Sequence, residues 1–561
     1  RVSTFDSGAG VVTTETIRPE ATNHALDLSR FGATLMTVSY SSVTNSVVND
    51  ALGRTIATTD GRGNTTTVVY NALGEREAVT DAAGNTTRYA YDVFGRNVAV
   101  TNALGLATVY AYDARGNKTY EGGATYPVSY TYDDHNVMTN MTTYRAEGTQ
   151  EGDTTSWNYD EATGHLLSKT YADGKGPTYT YTPNGKLASR TWARGVVSTY
   201  SYDGWGNLTN TVYSDGTPSI ALAYDAMGRQ ISATDVAGTT TMSYDDFGSE
   251  IQSEISGLYG KTLTRHRDAF GRDLGHTMDG SRKNIIEYEE ETGRIKRTML
   301  GGAWYTWEYL QGTDLKSSLS VGTAGRVTWV YEPNRDLLTQ IKNEAFGSVI
   351  SQYDYTNDAI GRRTAIARSG TMMSESQSDA YGYNTRSELI SAAKNGVDEY
   401  AYQYDDIGNR ETSVEPENSF AYTANELNQY DAITSQTSQT SLSSVALAEE
   451  DQTFIPQYDD DGNQILVKTK TGIWSVTYNG ENRPIDWICG STNIVMKYDR
   501  MGLCVEYVEM VVDPIGSTVV TNKHQRFVYD GHLCIQRLNR LPTRYGDGVE
   551  FQKCLRKCRG Y

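Results

Sequence analysis

Acidic and basic side chains stand four residues apart again and again in this chain, as in Asp92 with Arg96 and Asp225 with Arg229. A carboxylate beside a guanidinium could serve acid–base catalysis or grip sugar hydroxyls. The same pair, however, returns at turn after turn, whereas an active site needs one special environment. Turn stabilisation accounts for the pairs. Tyrosines two apart, at Tyr110/Tyr112, Tyr130/Tyr132, Tyr179/Tyr181, Tyr200/Tyr202 and Tyr402/Tyr404, offer stacking faces for sugar rings. Cross-strand ladders explain them more simply, and glycan binding stays open if some line an exterior.

Metal and cofactor chemistry finds little footing. Gln457-Tyr458-Asp459-Asp460-Asp461-Gly462-Asn463 resembles a calcium loop, yet its glycine falls at the wrong offset and no Glu closes the loop, so it reads as an acidic turn. His532 with Cys534, or Cys554 with Cys558, lacks a second pair at zinc spacing. No GxSxG, HExxH, GxxxxGKS/T or strand-borne GxGxxG occurs. The reading therefore contains no catalytic residue, no cofactor and no metal, and predicts no enzyme. Sequons such as Asn64-Thr65-Thr66, Asn85-Thr86-Thr87 and Asn207-Leu208-Thr209 arise at turn–strand junctions and matter only if the host glycosylates.

What positions these residues is a small repeated unit, written twice between Asn64 and Arg96. Asp or Asn opens a turn, Gly follows three positions later, and an alternating strand such as Thr86-Thr87-Arg88-Tyr89-Ala90-Tyr91 leads to the next turn. Openers at Asn71, Asp81, Asp92, Asn102 and Asp113 put turns ten or eleven residues apart and Tyr-Asp turns twenty-one apart, one hairpin per repeat. The opener's side chain can bond backbone N–H groups, and Gly supplies the positive φ of a type I turn with a bulge. Tyr89 and Tyr91 should share one face and Arg88 and Ala90 the other. The predicted structural turn residues are Tyr91, Asp92, Gly95, Arg96, Tyr112, Asp113, Gly116, Tyr202, Asp203, Gly206, Tyr224, Asp225, Gly228, Arg229, Tyr404, Asp405 and Gly408. Later openers are read at Asp354, Asn384, Asp405 and Thr423, among others.

The chain of 561 residues holds 41 Tyr and 53 Gly but only 11 Pro and 10 Phe, too patterned for disorder and poor in the aliphatics of a solid core. Residues 1–44 read as a degenerate repeat or cap, 45–540 as the repeat region with surface insertions at about 140–157 and 432–452, and 541–561 as a short basic tail. Val445 to Asp451 is the nearest approach to a helix, so the class is all-β. Roughly forty strands about 4.8 Å apart make a sheet on the order of 200 Å long, which must twist and curl. The net charge of −19 argues against general affinity for nucleic acid or an anionic membrane, and no apolar run spans a bilayer. The start at Arg1 suggests a fragment or trimmed product, and the five cysteines, all late, leave one pair possible.

Tyr91-Asp92-Val93-Phe94-Gly95-Arg96, Tyr112-Asp113-Ala114-Arg115-Gly116-Asn117, Tyr224-Asp225-Ala226-Met227-Gly228-Arg229 and Tyr404-Asp405-Asp406-Ile407-Gly408-Asn409-Arg410 resemble the YD repeats of the RHS family, over most of residues 45 to 540. That family includes bacterial RHS and wall-associated polymorphic toxins, shell-forming components of Tc toxins and the animal teneurins. The resemblance implies a β-hairpin strip spiralling into a large hollow shell, secreted or held at the cell envelope. In bacterial members the shell encloses a C-terminal toxin released by self-cleavage; teneurin relatives use the outer surface for recognition. The family's core motif, RYYDPxxGRF, does not follow Asp530: Arg544-Tyr545-Gly546-Asp547 is a distorted trace, and Asp513-Pro514 lies ahead of the last repeat. A truncated or partial member is the expectation. The leading function is an encapsulating scaffold for a toxin polypeptide absent from this chain. The alternative is a cell-surface adhesin binding glycan or protein, and an enzyme residing in the tail ranks last.

Overall fold

The structure is a computed structural model. It describes residues 45–539 apart from 147, 149–151, 245–250, 258–259, 417, 437–452 and 513–518, together with the backbone of strands between Val2 and Asn49. The basic tail, the helix candidate at Val445 to Asp451, Cys554, Cys558, Arg544 to Asp547 and Asp513-Pro514 lie outside the described residues.

Every regular element among the described residues is a strand. The chain divides into two compact units, the first made of Arg1–Thr131, Thr143–Gln150 and Ile285–Glu417, the second of Tyr132–Thr142, Glu151–Asn284 and Asn418–Tyr561. Each unit therefore combines an early stretch of repeats with a late one. In the first unit, sequential strands pair antiparallel from Ser39–Asn49 to Lys118–Gly123 and again from Ile295–Leu300 to Arg410–Val414. In the second, the same ladder runs from Asp153–Tyr159 to Asp273–Met278 and from Gln457–Tyr458 to Leu533–Asn539.

The turn chemistry sets this register. At Asp92 the backbone closes twice: Gly95 N–H donates to Asp92 O at 3.0 Å and Asp92 N–H to Arg96 O at 3.0 Å. Gly95 has φ +77°, a left-handed conformation that costs an L-residue roughly 1–2 kcal/mol. The extra residue appears as a bulge between Asn97 and Ala99 in the pairing with Thr86–Tyr91. Where Gly is missing, Asn takes its place at positive φ, as at Asn428 and Asn482.

Alternation follows the expected period. Along Thr86–Tyr91, Tyr89 and Tyr91 are half-buried while Arg88 and Ala90 are exposed. Fully buried apolar clusters are small; the second unit has one at Trp474, Val476 and Trp487, flanked by Val467, Ile494 and Met496.

Three sequence assignments need correction. Asp354 lies inside strand Ser348–Asn357, and the turn opens at Asp358, whose N–H bonds Arg362 O. Thr423 lies inside Ser419–Ala424, and Asn425 opens that turn. In both places a Tyr followed by a polar residue imitates the turn signal early, by four residues at Asp354 and by two at Thr423. The insertion read at about 140–157 is narrower, because Met138–Thr143 and Asp153–Tyr159 are strands. Ahead of residue 45, Val11–Asn23 pairs with Ser39–Asn49 along nearly its whole length.

Candidate functional site: the stitched turn edges

The turns form a row in which each is bonded to itself and several are bonded to the next. Asp92 Oδ1 accepts from the N–H groups of Phe94 and Arg96 at 2.9 and 3.0 Å, and its Oδ2 accepts Arg96 Nε at 2.7 Å. Burial opposes ionisation of Asp92, but the Arg96 guanidinium and these N–H groups outweigh it and hold the carboxyl below its ordinary range. Asp225 with Arg229 repeats this geometry. At Asp113, Asp203 and Asp405 an Asn amide replaces the guanidinium, donated by Asn117, Asn207 and Asn409 at 2.8–2.9 Å. The glycines Gly95, Gly116, Gly206, Gly228 and Gly408 all have positive φ.

Arg96 does more than close its own turn. Its Nη1 donates to Asp113 O at 2.6 Å, and its guanidinium lies 5.0 Å from the ring centre of Tyr112, in the next repeat. Arg54 over Tyr70, Arg229 over Tyr244 and Arg362 over Tyr383 repeat the contact at 4.6–4.7 Å. Lys186 fills the same role, donating to Gly206 O at 2.7 Å above the Tyr202 ring.

At many openers the preceding tyrosine works through its hydroxyl. Pairing between Arg76–Thr80 and Thr86–Tyr91 stops at Ala78↔Arg88, so the Arg76 carbonyl near the turn has no ladder partner there. Tyr91 Oη donates to it at 2.9 Å. Tyr112 to Asn97 O, Tyr202 to Leu187 O and Tyr224 to Leu208 O are equivalent at 2.8–2.9 Å. Sequence reasoning placed these rings across strands but missed the clasp. The excess of 41 Tyr over 10 Phe was the available signal, since a ladder of rings alone has no need of hydroxyls. Some rings of the predicted Tyr pairs also carry a cation: Lys118 lies 5.7 Å from the Tyr110 ring and 5.3 Å from the Tyr130 ring, and Arg410 4.6 Å from Tyr402.

Within each unit, a turn row of the early stretch meets the Tyr-Asp turns of the late stretch. In the first unit, Arg62 donates to the carbonyls of Glu332 and Pro333 at 2.6 and 3.0 Å and pairs with Asp336. Farther along, Asp406 N–H bonds Arg145 O at 3.0 Å, and a Cβ on Gly408 would stand 2.8 Å from the Tyr126 hydroxyl. In the second unit, Arg190 reaches both Glu481 oxygens at 3.1 Å, Trp192 Nε1 donates to Gly480 O at 2.9 Å, and Gly480 N–H donates to Thr217 Oγ1 at 2.7 Å. Arg265 pairs with Asp530 at 2.7 Å. None of these long-range partners was legible in the sequence.

The other candidate sites resolve into this scheme. In the calcium-like segment, Asp459 accepts the N–H of Asp461 and Asn463, and buried Asp461 pairs with Arg194 at 2.6 Å. Burial pushes the Asp461 carboxyl up. Among the described residues no group of three or more His, Cys, Asp and Glu converges as a metal site, and the thiols of Cys504 and Cys534 donate to the carbonyls of Glu506 and Gln536. The sequon amides of Asn64, Asn85 and Asn207 are each bonded to the carboxylate that opens their turn. Among the described residues no helix is long and apolar enough to cross a membrane, which says nothing of a β-barrel.

Residues 77–265 match the family model Teneurin YD-shell and residues 50–86 match RHS Repeat, so the resemblance read from the turn motifs holds. Among curated proteins nothing matches. Among solved structures, the TcdB2-TccC3-Cdc42 crystal structure aligns over 96% of this chain and 32% of its own, at TM-score 0.66 and 15% identity. TcdB2-TccC3 without its hypervariable C-terminal region aligns over 96% and 33%, at TM-score 0.58 and 15% identity. TcdB2-TccC3 itself aligns over 94% and 34%, at TM-score 0.57 and 14% identity. The chain thus has the all-β fold of these shell proteins and spans about a third of their length.

Proposed function

We propose that this chain is part of the wall of a container, a YD-repeat scaffold that encloses a toxin polypeptide and delivers it from outside the producing cell. The observation that carries the reading is the long ladder of hairpins with stitched turns, on the fold seen in TcdB2-TccC3. A container wall must resist local opening, and here the turns are tied to neighbouring repeats by guanidinium, ring and hydroxyl contacts rather than by a solid core. The chemistry described is spent on structure, which supports a scaffold rather than a catalyst.

The test is small-angle scattering of the purified chain, with a cargo polypeptide fused after Tyr561. A hollow pair-distance distribution and protection of the cargo from protease are the expected results. A solid globule, or cargo cut as fast as free polypeptide, rejects the reading. Exposed Trp205, 92% accessible, favours the adhesin alternative, and a saturable signal on a glycan array, lost in Trp205→Ala, would establish it.

A further inference from the structure

The last strands of the second unit form a sheet of their own. Eight strands, from Gln457–Tyr458 to Leu533–Asn539, pair with one another and, among the described residues, with no other sheet. The break has a local cause. Thr453–Phe454 pairs with Tyr430–Gln436, Gln457–Tyr458 pairs with Gln464–Thr469, and between them stand Ile455 and Pro456. Proline has no N–H to give a ladder, so the chain leaves one sheet there and enters the next. The eight-stranded sheet also has its own apolar cluster, because Trp474, Val476 and Trp487, with Val467, Ile494 and Met496 around them, all belong to it. It can therefore hold together without the strands it faces.

What joins it to the early stretch, residues 153–284, is polar and sorted by charge. Lys175 pairs with Asp460 at 2.6 Å, Arg194 with Asp461 at 2.6 Å, Arg190 with Glu481 at 3.1 Å and Arg265 with Asp530 at 2.7 Å. In all four the cation stands on the early stretch and the carboxylate on the eight-stranded sheet. Hydrogen bonds accompany them: Gly480 N–H to Thr217 Oγ1 at 2.7 Å, Arg500 N–H to Asp235 Oδ2 at 2.8 Å and Arg194 N–H to Asp461 Oδ1 at 3.2 Å. Gly480 lies so close to the Tyr213 ring that a Cβ there would stand 2.7 Å from it. Desolvation cancels much of the attraction in partly buried ion pairs, so such a joint fixes alignment more than it adds strength. The ladders on either side are continuous backbone bonding. The joint is the weaker of the two.

We propose that the eight-stranded sheet is a hinged panel, which turns about Ile455-Pro456 and comes away from the early stretch as one body, with this seam as its latch. A hinge concentrates the change of φ and ψ in a few residues and leaves the ladders alone. The panel goes beyond the container reading and stands without it, since it rests on contacts inside the second unit; in a container wall it would be a door for cargo.

Three backbone N–H groups report the latch directly, because each bonds a side chain across the seam: Arg194 from the early stretch, Gly480 and Arg500 from the panel. Hydrogen exchange of the full chain at low and high salt, resolved to single residues, provides the test. A panel that moves as one body gives the three amides one shared opening equilibrium. Salt screens the two rows of opposite charge, and four pairs each weakened about twofold should speed all three amides by about tenfold. Amides in the ladder of Gln464–Thr469 with Gly472–Tyr478 should keep their protection. Glu481→Gln removes one charge of the latch, and Gly480→Ala wedges a Cβ against Tyr213. Each should open the seam at least about tenfold more often, read at Arg194 and Arg500, with that ladder unchanged. Opening equilibria that differ among the three amides by more than about threefold would overturn the proposal, since they would mean separate local fraying. So would indifference to salt, or ladder protection lost in step with the seam, because the sheet would then be unfolding and not turning. Should either variant fail to fold, the salt series on the unmodified chain decides.

Discussion

At the residue scale the repeat is built from three side chains that each satisfy something the backbone leaves open. The opener's carboxylate takes the N–H groups of its turn, the tyrosine hydroxyl takes the carbonyl beyond the end of the ladder, and the arginine bridges to the next turn. Replacing Tyr91 by Phe keeps the ring and removes the donor, so hydrogen exchange around Arg76 should quicken by an amount equivalent to about 1 kcal/mol. A double-mutant cycle of Arg96→Ala with Tyr112→Phe or Tyr112→Leu should give a coupling of about 0.5–1 kcal/mol with Leu and less with Phe, because the ring and not the hydroxyl faces the guanidinium. The openers also carry a pH dependence. Asp50, Asp92, Asp113, Asp203 and Asp225 all ionise below the ordinary value of 3.8, so their contribution is present above that pH and fades as acid titrates them.

At the element scale, the late strands of the second unit depend on one carboxylate. Glu506 on Cys504–Val512 receives Lys497 from the strand before, and His524 and Arg526 from the strand after, all at 2.8 Å. Burial alone would raise its pKa, but these three donors hold it at about 2. Because the folded value is depressed, the stabilisation is full above the ordinary 4.5 and is lost as pH falls towards about 2. Glu506→Ala leaves two or three donors around an empty position and should cost about 3 kcal/mol, read as faster exchange along Thr492–Tyr498 and Val519–Asp530. The variant should also lose much of the wild-type acid sensitivity in these strands. Element boundaries show the same reliance on side chains: the turn opens at Asp358 and not Asp354 because Arg362 and Gly361 stand in position to close the first and not the second.

At the scale of the whole molecule, what each unit adds to the repeat is the seam between distant stretches. Arg194→Ala would leave Asp461, a side chain 1% exposed, with a backbone N–H donor but without its guanidinium, and should destabilise the second unit by about 3 kcal/mol. Here the sign of the pH effect reverses. Burial raises the Asp461 pKa, so in the variant the cost should shrink in acid, where the carboxyl is neutral, and grow as pH rises through the raised value. Urea melts of the variant at two pH values, followed by exchange in Gln464–Thr469, check both statements. A long repeat array need not unfold in one step, so a local probe is the appropriate one.

The sequence by itself determined the strand period, the hairpin unit, the turn type and the all-β class, because each rests on contacts between residues fewer than about six apart, which spacing and residue type dictate. The turn at Asp92, closed by Gly95 and Arg96, is local in the same sense. Tertiary structure decided the rest: which carbonyl a tyrosine clasps, which turn an arginine reaches, and that Arg62 meets Glu332 or Arg190 meets Glu481. Those pairings depend on how much each strand twists relative to the last, a small rotation accumulated over many hairpins, and near-identical turns offer no local mark of which distant turn will lie alongside.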